Sequence, residues 1–475
     1  MPFQLVEFPI AGPSYQSRSK PLSGQQTSNW YQQFGPNQKD EFVLLPFPGS
    51  LQVGSFSTPL IDRGVTRMAE IGYQVKGNTL YKFDKFGNHT NLGSIPGTSR
   101  CIFANDGTNL VIVTDLRTFI YSSDTNSIVE STVTGTTGAL STDIINDQFL
   151  FTFSNTTYVA NIDNTTKLFT TDGQVGADVK PDVLIRDFVF EQTIWRFGAR
   201  TVEAWYNNSS VVPPLARLDG QIFDVGLIAI HSVAQTDEFF YWLGDDDSVY
   251  RARSGVKERI STDAISNALA KTDNTDATAY TFTLEGQNFY CITLPLLNKT
   301  FLFNETLGRD AGWSELSSGT NNERYQGSSL INVYGENFVA DETNGKLYKL
   351  DLDTFTNDGE TLKRTRVTRS INSKLFGRPG KRVQMKRLEL IMETGEGLIS
   401  GQGENPRIMI EPSYDGGRTF DTGTWARTGR LGEHVLKVEW FSTKSFYDLI
   451  LRISTTDPVS YSIYTSTIEL RLAGL

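Results

Sequence analysis

The chain has 475 residues, a net charge of −10 and an aromatic content of 12%. This length predicts two or three domains, and the acidic balance excludes a protein that binds nucleic acid over its whole surface. Residues 1–7 lack a basic segment followed by a long apolar run, and no stretch approaches about 18 apolar residues, so we expect neither a signal peptide nor an integral membrane segment.

Residues 1–60 predict an extended N-terminal arm. Their many Pro, Gly, Gln and Ser residues exclude a long helix. The same segment contains Trp30, Tyr31, Phe34 and Phe47, which a purely disordered tail would lack. We therefore expect the arm to lie on another surface, either of its own chain or of a neighbouring one.

Residues 61–360 repeat one pattern about every 40 to 50 residues: an apolar strand, a polar turn, a second apolar strand and another polar turn. Residues 79–84, 118–122, 157–162 and 346–351 are the clearest of these strands, and seven strand–turn–strand units can be counted between 62 and 352. One such unit cannot bury its own apolar face, so the units must stack around an axis. The pattern predicts an all-β fold containing a degenerate β-propeller of six to eight blades, with seven favoured.

One short helix is expected within the propeller, near residues 261–271. A hydroxyl can cap its start, Asp263 suits its first turn, and Ile265 and Leu269 share one face. Cys101 and Cys291 are the only two cysteines and both lie in apolar strand patterns. We expect them to be buried free thiols.

Residues 361–384 predict a basic connector. Ten lysines and arginines lie between Lys363 and Arg387, with no aspartate or glutamate among them. They can face DNA phosphates or an acidic neighbouring subunit, or they can form a solvated linker that pairs with acidic groups of the same chain. The alternation in residues 364–369 predicts a strand with a charged face.

Residues 385–475 predict a second all-β unit, a small β-sandwich with strands near 385–392, 407–411, 433–441, 447–453 and 460–472. Residues 413–420 match an Asp-box, a hairpin pattern that also occurs in sialidases. There it is a structural turn and not the active site.

No catalytic, cofactor-binding or metal-binding residues are predicted. Asp245, Asp246 and Asp247 lack the further oxygen ligands that a calcium site needs, so an exposed turn is favoured. The chain's three histidines are far apart and fit no metal-binding spacing.

In order along the chain, several segments resemble the tail nozzle proteins of short-tailed phages, also called packaged-DNA stabilisation or tail-accessory proteins. They are residues 29–31 with 44–49 in the arm, the degenerate propeller, the helix after Ile260, and residues 408–416 and 448–453. The resemblance implies a structural virion protein, assembled in the host cytoplasm, with no cofactor. Six copies would form a ring below the portal and adaptor proteins.

The resemblance further implies that this ring extends the DNA conduit, with double-stranded DNA passing through without sequence specificity. It would help to retain the packaged genome and would dock tail spikes, fibres or a needle. The residues expected at subunit or adaptor interfaces are Trp30, Tyr31, Phe34, Phe47, Arg364, Arg366, Arg369, Lys374, Arg378, Lys381 and Arg382.

Two alternatives stay open from the sequence. One is a propeller glycosidase or capsule depolymerase, which the Asp-box favours slightly. The other is a propeller adaptor that binds a carbohydrate or a peptide through its axial face.

Overall fold

Seven antiparallel units of four strands, the blades, follow one another along the part of the chain that the structure describes, and in the first six the four strands form a meander. The structure is a computed structural model and describes residues 2–20, 23–35, 42–54, 59–133, 137–163, 167–176, 182–208 and 211–473. The predicted all-β propeller of six to eight blades is confirmed.

In blades one to six the four strands follow one another in sequence. Blades one to three contain Asp62–Met68, Ile71–Lys76, Thr79–Phe83 and His89–Ser94; Ile102–Asn105, Asn109–Thr114, Arg117–Ser122 and Ser127–Ser131; and Ser141–Ile145, Gln148–Thr152, Thr156–Asp163 and Leu168–Gly176. Blades four and five contain Leu184–Phe190, Thr193–Gly198, Val202–Asn207 and Leu215–Phe223; and Ala234–Gln235, Phe240–Leu243, Val249–Arg253 and Val256–Arg259. Blade six contains Thr278–Leu284, Gln287–Leu294, Lys299–Asn304 and Trp313–Ser318.

Blade seven takes its fourth strand from the N-terminal arm. Its first three strands are Gly327–Val333, Glu336–Asp341 and Leu347–Asp351, and Gly49–Val53 pairs antiparallel with the third. The short strands Thr356–Asn357 and Glu360–Thr361 extend this sheet. A blade shared between the two ends of the propeller sequence ties those ends together, which protects an otherwise open edge.

Blades seven and one are neighbours. The Tyr334 hydroxyl of blade seven donates to the carbonyl oxygen of Phe83 in blade one at 2.7 Å, and the Ser329 hydroxyl donates to the Asp62 carboxylate at 2.6 Å. Phe83 also packs with Phe338 in a buried cluster. These contacts close the ring of blades.

Aromatic layers fill the spaces between blades. Between blades four and five, Trp242 stacks on Phe223 with ring centroids 5.9 Å apart and lies 5.5 Å from Phe240. Burial of such rings stabilises the fold by about 25 cal/mol per Å² of apolar surface removed from water.

A β-sandwich contains the chain after blade seven and much of the arm. One sheet has the order Trp30–Phe34, Phe42–Pro46, Ile463–Leu472, Val383–Met392 and Val438–Phe441, with Gln4–Glu7 and Ser445–Phe446 on its flanks. The other has the order Gln26–Ser28, Arg364–Val367, Asp448–Thr455, Arg407–Ser413 and Thr424–Arg427, with Ile371–Asn372 beside the third. Both sheets bury alternate side chains in one common core, which confirms the predicted C-terminal sandwich.

The arm strand Gln26–Ser28 joins propeller and sandwich. It pairs with Trp313–Ser318 of blade six on one side and with Arg364–Val367 of the sandwich on the other. The arm therefore lies on its own chain, and one continuous sheet runs from blade six into the sandwich.

Few helical segments occur among the described residues. The α-helix Asp263–Leu269 confirms the predicted helix, with the Thr262 hydroxyl accepting from the Ile265 N–H and with Ile265 and Leu269 buried. The others are the four-residue helix Gly308–Ala311 and the 3₁₀ turns Ile230–Ser232, Glu305–Leu307 and Ser373–Phe376. Cys101 and Cys291 are buried free thiols, as expected.

Candidate interaction surface

Three of the four aromatic residues expected at an interface are buried inside the chain. Trp30 is 0% exposed and donates its indole N–H to the carbonyl oxygen of Tyr461 at 2.9 Å in the sandwich core. Phe47 packs edge-on against Phe282 and Tyr325. The prediction that Trp30, Tyr31 and Phe47 face a neighbouring subunit is therefore wrong, because their own chain covers them.

Tyr31 bonds a carboxylate of blade six. Its hydroxyl donates to Glu285 at 2.8 Å, and its ring meets Phe289 edge-on with the centroids 5.4 Å apart. Burial, followed by the hydrogen bond to Glu285, raises the pKa of Tyr31 well above its usual value. Phe34 differs from the other three, since it is 37% exposed and stacks on Phe42.

Arg364 and Arg366 are also buried, at 0% and 1% exposure. Their strand, Arg364–Val367, is covered on both faces, so the predicted charged face towards a partner is wrong. Arg366 donates to the carbonyl oxygens of Ile10 and Pro13, the Thr27 hydroxyl and the Gln25 side-chain oxygen at 2.8–3.3 Å. Both arginines are structural, because Arg366 fastens the arm and Arg364 lies over the ring of Phe355.

The other five predicted basic residues are exposed and form what we term the basic loop surface: Arg369, Lys374, Arg378, Lys381 and Arg382. They surround the 3₁₀ turn Ser373–Phe376. Asn372 caps the start of this turn, and Gly377, in the left-handed conformation with φ 65°, caps its end. The Asn372 side chain accepts from the Lys374 N–H at 3.0 Å, and the Ser373 hydroxyl accepts from the Lys381 N–H at 3.1 Å. These bonds hold the backbone of the loop and leave its long side chains in water.

No carboxylate among the described residues forms an ion pair with any member of the basic loop surface. Arg369 lies 5.0 Å from the ring centroid of Phe8, and Arg382 donates to the carbonyl oxygen of Ser445 at 3.1 Å. By contrast, Lys386 and Arg387, further along the same segment, pair with Glu469 at 3.0 Å and with Glu439 at 2.6 Å. The sequence could not separate these two groups, because their carboxylate partners come from distant strands.

Charge is divided along the chain. Residues 361–475 contain 18 lysines and arginines and 12 aspartates and glutamates. Residues 1–360 contain 26 lysines and arginines and 42 aspartates and glutamates. The sandwich part is therefore basic and the remainder strongly acidic. Unpaired cations on one part and excess acid on the other favour contacts between unlike surfaces of two molecules.

The Asp-box is a structural turn, as expected. The Asp415 carboxylate accepts from the Arg418 and Thr419 N–H groups and from the Thr419 hydroxyl at 2.7–3.0 Å. These bonds, chiefly the one from the Thr419 hydroxyl, hold the pKa of Asp415 far below its usual value. Its oxygens are thus occupied by the turn.

The acidic turn at residues 245–247 is bonded in a similar way. Asp245 accepts from the Gly226 N–H at 2.8 Å, Asp246 from the Tyr250 hydroxyl at 2.6 Å, and Asp247 from the Asn274 amide at 3.2 Å. Within the described ranges, no group of three or more His, Cys, Asp or Glu side chains is placed to hold a metal ion. Nor does any helix there have the length and apolar character needed to cross a membrane.

The closed ring of antiparallel blades, with the sandwich joined to it, defines a β-propeller protein. The family model described as "Bacteriophage P22 Gp10, beta-propeller" matches residues 9–355. The chain therefore belongs to this phage stabilisation family, the tail-accessory proteins of short-tailed phages, and is a structural protein of the phage tail. The family places it in the virion, in assembly with other phage proteins.

Several solved structures are similar to the chain. The WD40 repeats of RRP9 share 10% identity over 64% of this chain and 99% of that chain, with a TM-score of 0.44. The extracellular domain of the putative one component system BT4673 from B. thetaiotaomicron shares 9% identity over 81% of this chain and 48% of that chain, with a TM-score of 0.44. BamB from Moraxella catarrhalis shares 10% identity over 64% of this chain and 99% of that chain, with a TM-score of 0.38. No curated protein matches the chain significantly.

Proposed function

We propose that six copies of this chain form a ring in the phage tail that extends the DNA conduit below the portal and adaptor proteins. The ring helps to retain the packaged genome and docks tail spikes, fibres or a needle. It assembles in the host cytoplasm and acts by assembly, without a reaction step. Membership of the tail-accessory family supports a structural place in the tail.

The basic loop surface is the observation that carries this proposal. Five exposed cations repel one another and lack carboxylate partners in the described chain, whereas residues 1–360 carry a large acidic excess. An acidic surface of the next copy, or of the adaptor, gives these cations partners. A contact between two unlike surfaces, repeated around an axis, generates a closed ring. Complementary charge also accelerates the encounter between subunits.

The acidic balance of residues 1–360 supports a conduit through which DNA slides. Attraction to phosphate is carried by lysine and arginine, so an acidic lumen holds the duplex by enclosure and not by adhesion. The basic loop surface then serves protein–protein contact, and sequence-independent passage of DNA needs no base contacts.

A pair of matched charge reversals tests the proposal. The variant Lys374→Glu with Lys381→Glu changes the basic loop surface, and the control Lys85→Glu with Arg200→Glu changes two exposed cations of the propeller. Native mass spectrometry of each protein with its adaptor measures the oligomer, and a DNA-release assay on complemented particles measures genome retention.

We expect the control to form rings like the unchanged protein and the loop variant to lose rings and retained DNA. Normal rings and normal DNA retention with the loop variant would overturn the assignment of the basic loop surface. If the unchanged protein stays monomeric in the presence of the adaptor, the proposed ring itself is overturned.

A further inference from the structure

A groove of roughly 500 Å³ lies where four parts of the fold meet: the arm, the helix Asp263–Leu269, blade six and the Asp-box turn. It is separate from the basic loop surface, none of whose five residues lines it. Its size falls within the range of about 300–1,000 Å³ that is typical of ligand sites. Because arm and sandwich contribute to it, the groove exists only when the arm is in place.

The floor of the groove is apolar. Leu297, Phe301 and Trp313 come from blade six, and Phe420 comes from the end of the Asp-box. Trp313 already donates its indole N–H to the carbonyl oxygen of Ile260 at 2.8 Å, so it offers the groove a ring and no free donor. An aliphatic or aromatic side chain of a ligand can be buried against this floor.

Phe420 is held in position by Arg452, which also lines the groove. The Arg452 guanidinium lies 4.3 Å from its ring centroid and also forms two hydrogen bonds to Glu411, at 2.6 and 2.5 Å. The Asp-box thus gains a role beyond its own turn, because it presents Phe420 at the floor of the groove.

The rim of the groove carries unpaired positive charge. Arg18, Lys20 and Lys271 line it, are exposed, and have no ion-pair partner among the described residues. Lys299 and Arg452 also line the groove but differ, since Lys299 pairs with Glu315 at 2.7 Å and Arg452 pairs with Glu411 at 2.5 Å. The cations available to a ligand therefore lie on the rim, around an apolar floor.

We propose that this groove binds an acidic peptide segment with an apolar anchor residue, supplied by another protein of the phage tail. The anchor is buried against Leu297, Phe301 and Phe420, while neighbouring carboxylates pair with Arg18, Lys20 and Lys271. A carbohydrate fits less well, because it needs fixed polar partners on the floor, and the Trp313 indole N–H there already bonds within the chain.

Fluorescence anisotropy with a labelled synthetic peptide of alternating aspartate, phenylalanine and leucine measures this binding on the isolated chain. One control peptide has serine in place of phenylalanine and leucine, and a second has lysine in place of aspartate. The protein variants are Arg18→Glu with Lys271→Glu on the rim and Leu297→Ser on the floor. Lys85→Glu with Arg200→Glu, two exposed cations of the propeller that do not line the groove, is the matched charge control, and thermal melting verifies that each variant is folded.

We expect the acidic apolar peptide to bind, and the rim and floor variants each to weaken it by about tenfold or more. The Lys85/Arg200 control protein should bind the acidic apolar peptide as well as the unchanged protein does. Both control peptides should bind only weakly. The proposal is overturned if the serine peptide binds equally well, if the Lys85/Arg200 control weakens binding as much as the rim variant, or if a neutral oligosaccharide binds and competes.

The groove could instead bind a second copy of this chain. If the rim variant loses self-association but still binds the acidic apolar peptide, the groove is assigned to a second copy and the assignment to another tail protein is overturned. Peptide binding by the isolated chain does not require a ring. Failure of this inference and failure of the proposed ring are therefore distinguishable.

Discussion

Asn29 and Ser317 bond each other in both directions. The Asn29 side-chain amide donates to the carbonyl oxygen of Ser317 at 3.0 Å, and its side-chain oxygen accepts from the Ser317 N–H at 2.9 Å. The same amide also donates to the carbonyl oxygen of Lys363 at 2.8 Å. One buried side chain of the arm thereby joins blade six to the start of the sandwich.

Replacing Asn29 should weaken the attachment of the arm. In Asn29→Ala the Ser317 N–H and two carbonyl groups lose buried partners, and alanine must also adopt the left-handed φ of 54° that Asn29 has. We expect the free energy of unfolding to fall by about 2–4 kcal/mol in urea titrations. Asn146→Ala is the control, because Asn146 has φ 48° and is exposed. Equal losses in both variants would assign the effect to backbone strain alone.

Arg366→Lys tests whether a planar guanidinium is required to hold the arm. Burial lowers the pKa of Arg366 to about 9, so it stays a cation at neutral pH, and its four hydrogen bonds are all to neutral groups. Lysine keeps the buried charge but cannot reproduce the fork of donors.

We expect Arg366→Lys to lower the free energy of unfolding by about 3 kcal/mol and to expose the arm to limited proteolysis. The exposed Arg369→Lys, three residues away, should change the same free energy by less than about 0.5 kcal/mol. Wild-type stability of Arg366→Lys, with unchanged proteolysis, would show that the guanidinium does not fasten the arm.

The apolar patterns were enough to predict most second and third strands of the blades, but not the first. In blades one, three and four the first strand turns into the second through Ala69–Glu70, Asn146–Asp147 and Glu191–Gln192, each with positive φ at both residues. Alanine, glutamate and glutamine are unusual in this left-handed conformation, which normally favours Asn-Gly. The two-residue connection between the paired strands therefore imposes these turns, and local residue preference could not reveal them.

The interface residues were harder to predict for a different reason. An aromatic arm has the same composition whether it packs on its own chain or on another, and only the burial of Trp30 and Phe47 separates the two cases. Likewise, an alternating strand such as Arg364–Val367 predicts one solvated face, yet here the arm covers Arg366 and Arg364 lies over the ring of Phe355. Long-range pairing decides both outcomes.

His231 should make the propeller sensitive to acid. Burial, then the nearby charges of Arg100 and Arg186, lowers the pKa of His231 to about 3. The unfolded state binds a proton near pH 6.5 and the folded state does not, so stability falls as the pH drops from about 6.5 towards 3. The loss reaches about 2–3 kcal/mol by pH 4.5.

Urea titrations of His231→Gln and of the unchanged protein between pH 7 and 4.5 measure this contribution. Carboxylates that also titrate in this range act on both proteins, so the difference between the two curves isolates His231. We expect the difference in free energy of unfolding between His231→Gln and the unchanged protein to change with pH over this range. Parallel curves for His231→Gln would refute the prediction.

Closure of blade seven depends on the absence of a side chain at Gly49. A Cβ at this position would lie 2.3 Å from the carbonyl oxygen of Thr356 and 2.7 Å from that of Thr354, and neither backbone atom can yield easily. Gly49→Ala should therefore disrupt the pairing of Gly49–Val53 with Leu347–Asp351. We expect it to lower the free energy of unfolding by about 2 kcal/mol or more and to speed amide exchange in both strands.

Gly176→Ala is the matched control, because its Cβ would come no closer than 3.8 Å to any neighbour. That variant should be neutral or slightly stabilising, by about 0.4–1 kcal/mol at most. Equal exchange rates in the two variants would mean that the arm strand does not close the propeller.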